Sequence, residues 1–134
     1  MVSRDTVVHV FVASLAIVLL VLADVAGLGL LEGATAAVVF IAFYGVILGG
    51  AHLVLAILGE DGMIPVEARW RYVAALAVVL VGTAMVAYGG SSSIGPLEIS
   101  TLGYALVGIT AVAYVVVEGL AGYRDTRPQA ENRS

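Results

Sequence analysis

Four stretches of this chain carry no Asp, Glu, Lys or Arg: Thr6 to Ala23 (18 residues), Gly33 to Gly59 (27), Tyr72 to Leu97 (26) and Ile99 to Val117 (19). A helix crosses a hydrocarbon core of about 30 Å with about 20 residues, so this pattern predicts membrane spans before anything else. The first and last stretches reach that length only if Asp24 and Glu118 lie inside the membrane. The expected fold is an all-α integral membrane protein, a bundle of four transmembrane helices at about 7–31, 34–58, 71–90 and 97–122. Residues 1–123 form the transmembrane domain and 124–134 a flexible polar tail on the cytoplasmic side. Blocks this long without strict alternation fit helices better than barrel strands, which need only about 10 residues.

Composition removes the alternatives. Only 12% of residues are charged and the mean hydropathy is +1.07, whereas a soluble domain carries about 25% charge. The absence of Cys excludes a disulfide-stapled module, and a net charge of −4 without a single Lys excludes a nucleic-acid partner. The lack of Lys beside 21 Ala and 23 Val resembles the bias of salt-loving archaeal proteomes.

All six Arg fall on one side of the span map. Arg4 is at the N-terminus, Arg69 and Arg71 are in the second connection, and Arg124, Arg127 and Arg133 are in the tail. The positive-inside rule then places both termini in the cytoplasm and the chain in the cell membrane as a multi-pass protein. Arg69, Trp70 and Arg71 are expected to anchor the start of the third helix at the interface, Tyr123 and Arg124 to do so after the fourth, and Tyr88 to mark the outer side. The first helix reads as a span rather than a cleaved signal peptide. Its basic region is one Arg followed by Asp5, and its apolar stretch exceeds the usual length of about 7 to 15 residues.

Leu31-Glu32-Gly33-Ala34-Thr35 and Leu97-Glu98-Ile99-Ser100-Thr101 share an L-E-x-x-T pattern at an offset of 66 residues, which also superposes His52 on Glu118. Such a repeat would make the chain two parallel helical hairpins, as in some transporters. A Glu near a helix start is favoured by the helix dipole in any case, so the pattern can also arise twice independently.

An ionisable side chain in the middle of a span costs roughly 2.5 to 3.5 kcal/mol on insertion scales, so each needs a partner, water or neutrality. His9, Asp24, His52 and Glu118 need this accounting. From helix rise alone, His9, Glu118 and His52 lie about 3, 6 and 9 Å from the cytoplasmic helix ends and can share one layer. His52 shares a face with Gly45, Gly49 and Ala56, and Glu118 with Tyr104, Ala111, Val115 and Gly122. Small residues let membrane helices approach, so Gly45, Gly49, Ala56, Ala111 and Gly122 are expected at helix contacts. Asp24 and Tyr104 fall at similar depth in the outer half, and a hydrogen bond between them is expected.

These residues allow several functions. The leading expectation is an accessory or structural subunit, not an enzyme, that packs with itself as a homo-oligomer or with other membrane subunits in the lipid bilayer. No metalloprotease, nucleophile-elbow, P-loop or dinucleotide signature is present. The alternative is a small ion- or proton-coupled transporter or channel using Asp24, His52 and Glu118, with His9 and Tyr104 assisting. A third reading has His9 and His52 ligating haem b. No cofactor and no metal are otherwise expected, and Glu60-Asp61-Gly62 reads as a solvated turn.

Overall fold

The computed structural model of the chain describes residues 2–28, 33–59 and 64–131, with side chains through 126. Among the described residues four helices are long and apolar enough to cross a membrane: α1 (Arg4–Val25), α2 (Gly33–Ile57), α3 (Val66–Tyr88) and α4 (Ile99–Glu131). A two-stranded hairpin, β1 (Ser93–Ile94) and β2 (Leu97–Glu98), separates α3 from α4.

The boundaries differ from the sequence reading for local reasons. α1 begins at Arg4 because Ser3 caps it, its hydroxyl accepting from the Thr6 amide at 3.2 Å, and Asp5 complements the dipole of the first turn. It ends at Val25 rather than near residue 31. Gly27 adopts φ +73°, and the Leu28 amide donates to the Ala23 carbonyl at 3.1 Å, which closes the helix in a Schellman-type turn. Asp24 therefore sits in the last turn of α1, exposed, and not deep in a span. α3 begins at Val66, behind Pro65, so Arg69 and Arg71 belong to its first turns.

Before α4, Leu97 and Glu98 are strand residues rather than the helix start. Gly95 at φ +62° followed by Pro96 fits a tight two-residue turn with Gly first, and Ile94 pairs with Leu97 across it. At the other end α4 runs on past Arg124 to Glu131. Extending an existing helix needs no new nucleation, and Thr126 donates back to the Tyr123 carbonyl at 3.0 Å.

Among the described residues the helices pack in chain order, α1 on α2, α2 on α3 and α3 on α4, so α1 and α4 lie at the margins. Close approach is bought by glycine. A Cβ on Gly103 would stand 2.5 Å from the Gly82 carbonyl oxygen and one on Gly82 would stand 2.9 Å from the Gly103 oxygen, so α3 and α4 touch backbone to backbone there. Gly49 faces Leu76 of α3, and Gly50 faces Val12 of α1. Gly45 and Ala56 also lie at helix contacts, whereas Ala111 is exposed and no described residue stands against Gly122.

Val46–Gly50 forms a π-helical turn within α2, directly before His52. A glycine pair tolerates this widening, and the Tyr72 hydroxyl of α3 donates to the Leu48 carbonyl inside the turn at 3.0 Å.

Candidate functional site

The start of α1, the end of α2 and the start of α3 meet at one end of the molecule and bring four polar side chains together there. Arg69 is at the centre with no exposed surface, the largest fully buried side chain described. One guanidinium nitrogen donates to Asp5 Oδ2 at 3.2 Å, and another to His52 Nδ1 at 3.0 Å. A guanidinium has no acceptor, so His52 Nδ1 presents its lone pair and a neutral ring holds its proton on Nε2. His9 Nδ1 donates to the Asp5 carbonyl at 2.7 Å, because a carbonyl can only accept. The two imidazoles meet edge to face with centroids 5.2 Å apart, and Tyr72 closes the other side of His52 at 4.8 Å.

Beside this cluster, α3 and α4 share a second ion pair. Arg71 Nε donates to Glu118 Oε1 at 2.6 Å and Nη2 to Oε2 at 3.4 Å, a two-pronged contact. Unlike Arg69, this pair is partly open, with side chains 35% and 29% exposed. Tyr72 faces His52 on one side and lines a groove with Tyr114 on the other, which makes the two clusters one polar layer across the molecule.

The placement of the expected residues is therefore mixed. His9 and His52 do come together, but Glu118 is committed to Arg71. Asp24 lies at the opposite end of α1, and Tyr104 is 68% exposed on α4, two helices that do not pack extensively. Among the described residues no hydrogen bond joins them. Of the expected interface anchors, Trp70 and Tyr123 are exposed, as is Arg124, while Arg69 turns inward and Arg71 reaches α4. Asp5, Tyr72 and Tyr114 were not singled out by sequence reasoning. The Ser3 cap and Pro65 are the signals that would have drawn Asp5 and both arginines into helices. Glu60, Asp61 and Gly62 lie outside the described residues, as do Leu31 and Glu32 of the first L-E-x-x-T copy.

The His9 and His52 rings touch directly, and their Nδ1 atoms hold the Asp5 carbonyl and Arg69. A porphyrin has no space between rings in edge contact, so this geometry does not fit a bis-histidine haem. Among the described residues no group of three or more His, Cys, Asp or Glu stands ready for a metal ion. Two grooves lie elsewhere in the bundle, the first mixed in its lining and the second apolar. One of about 320 Å³ is bounded by Leu20, Phe40, Phe43, Tyr44 and Tyr88, and one of about 290 Å³ separates α2 from α3 along Gly45, Gly49 and Leu76. Neither contains both His52 and Asp24. No protein-family model matches the chain, and no similar curated protein or solved structure was found.

Proposed function

We propose that this chain is a structural or accessory membrane subunit, oriented with both termini in the cytoplasm of a cell membrane, that works by associating with further copies or with other membrane subunits. The observation that carries this reading is Arg69 held between Asp5 and His52. A site for moving ions needs groups that are open to exchange their ligand. Here Asp5 and His52 are spent on holding Arg69 and tying helix ends together, and a buried guanidinium so enclosed serves register more than turnover.

Two further features support the reading. α4 carries exposed apolar residues on several sides, such as Ile109 at 71% and Val115 at 70%, and Gly119 and Gly122 have open space around them for another helix. α2 and α4 start at Gly33 and Ile99, which keeps the 66-residue offset of the sequence repeat, and His52 and Glu118 each bind an Arg from the start of α3. Two parallel hairpins with matching polar ends account for both.

The test is the mass of the full chain in gentle detergent by native mass spectrometry, together with proton and sodium flux into liposomes. A discrete oligomer with background flux is expected. A monomer whose flux is abolished by Glu118→Gln overturns the proposal in favour of transport. The orientation is tested separately, because the chain has no Cys: Val2→Cys is expected to react only from the cytoplasmic side and Ser92→Cys only from outside.

A further inference from the structure

We propose that the cleft between α3 and α4 seats a phospholipid whose headgroup carries both a phosphodiester and a primary ammonium. Two apolar grooves adjoin there. One of about 260 Å³ is bounded by Tyr72, Ala75, Val79, Ala111 and Tyr114, and one of about 240 Å³ shares Ala75 and Tyr114 and has Arg71 at its rim. From Arg71 to Val79 the cleft follows α3 for about 12 Å by helix rise, the length of part of an acyl chain. Ala75 and Ala111 give it depth, since larger side chains would fill it.

The head of the cleft is polar and still has hydrogen-bonding capacity. Arg71 spends Nε and Nη2 on Glu118, which leaves Nη1 outside the pair, and the two side chains are 35% and 29% exposed. The Tyr114 side chain lies within electrostatic reach of Glu118 and Arg71, and its hydroxyl has no hydrogen-bond partner among the described residues. Long Arg side chains near helix ends extend to the headgroup level, which puts these donors where lipid phosphates are.

The charges choose the occupant. Arg71 and Glu118 together are neutral but split, a cation and an anion side by side. A phosphodiester can take N–H donors from Arg71 and the phenol of Tyr114, while a primary ammonium donates to the outer face of Glu118. A purely anionic headgroup meets Glu118 as a like charge, and a quaternary ammonium has no N–H to give.

The chain carries its own reporter, because its one tryptophan, Trp70, is 46% exposed and adjoins Arg71. The full chain is reconstituted in phosphatidylcholine vesicles, and Trp70 quenching is read with phosphatidylethanolamine, phosphatidylcholine or phosphatidylglycerol brominated on the acyl chain. Phosphatidylethanolamine is expected to bind about threefold or more tightly than either other lipid, the worth of one or two hydrogen bonds. Glu118→Gln is expected to bring it to the phosphatidylcholine level, Tyr114→Phe to weaken all three alike by removing a donor to the shared phosphodiester, Ala75→Leu to weaken all three by filling the groove, and Gly108→Ala, on an open face, to change nothing. Circular dichroism melts identify any variant that fails to fold, and Tyr114→Phe removes only one oxygen. Equal quenching by the three lipids overturns the proposal, as does a preference for phosphatidylglycerol, an unchanged preference in Glu118→Gln or an unchanged affinity in Tyr114→Phe. Displacement by soluble glycerophosphoethanolamine also overturns it, because the acyl chain would then contribute nothing.

Discussion

Replacing Asp5 by Asn leaves the Arg69 guanidinium fully buried but takes away the carboxylate 3.2 Å from it. Removing one partner of a buried pair costs about 3 to 5 kcal/mol, but Asp5 is 22% exposed and water reaches its outer face, which lowers the expected loss to about 2 kcal/mol. Arg69→Met should cost less, about 1 kcal/mol, since Asp5 can then hydrate and an apolar chain of similar length fills the space. The double variant should lose no more than Arg69→Met alone, because an Asn beside a Met faces no stranded cation. The coupling is then about 2 kcal/mol, roughly 30-fold in the folding equilibrium. The assay is SDS-driven unfolding in mixed micelles followed through Trp70 fluorescence, which reports from the residue beside Arg69. If the two single losses add to within about 0.5 kcal/mol in the double variant, Asp5 and Arg69 do not act as a pair and the polar layer does not hold the helix ends together.

Gly103→Ala is expected to lower the melting temperature, at a cost of about 1 to 3 kcal/mol, because its methyl group would meet the Gly82 backbone, which cannot move aside; Gly108→Ala, into open space, should be neutral or slightly stabilising. Tyr72→Phe should cost about 1 kcal/mol and speed amide exchange specifically around residues 46–50, since it removes the hydroxyl that holds the Leu48 carbonyl. Asp24→Asn should leave melting temperature and oligomer mass unchanged within about 0.5 kcal/mol, because the side chain is exposed at the end of α1. A marked loss of either would place a partner at Asp24.

The four spans were legible because charge is so costly in lipid that its absence marks them directly. That same rule concealed the polar layer. Counting charge-free residues starts the third span at Tyr72, just past Arg71, so both arginines looked like anchors in the headgroups rather than members of α3. The pairs they form reach Asp5 and Glu118 across 64 and 47 residues, which no local periodicity reports. Asp24 was placed too deep because a Gly within a long apolar run looks harmless, while Gly27 at positive φ ends the helix. The α3–α4 crossing was missed for a related reason. Gly82 and Gly103 are single glycines on different helices, whereas Gly45 and Gly49 announce themselves by their spacing on one. His52 and His9 were found together because depth and helix direction alone bring them to one level.

The wide turn at Val46–Gly50 works as a phase shift in the sequence. A helix turns about 100° per residue, and one residue absorbed into a wider turn moves every later side chain back by that angle. In an uninterrupted α2 the position facing Arg69 would belong to Ala51, which has no lone pair to offer, and His52 would look elsewhere. The glycine pair thus does more than let neighbours approach. It decides which letter of the chain meets the arginine, so straightening this turn into regular α-helix at unchanged chain length would rewire the polar layer without touching any of its members, whereas deleting a single residue here would leave the histidine facing Arg69.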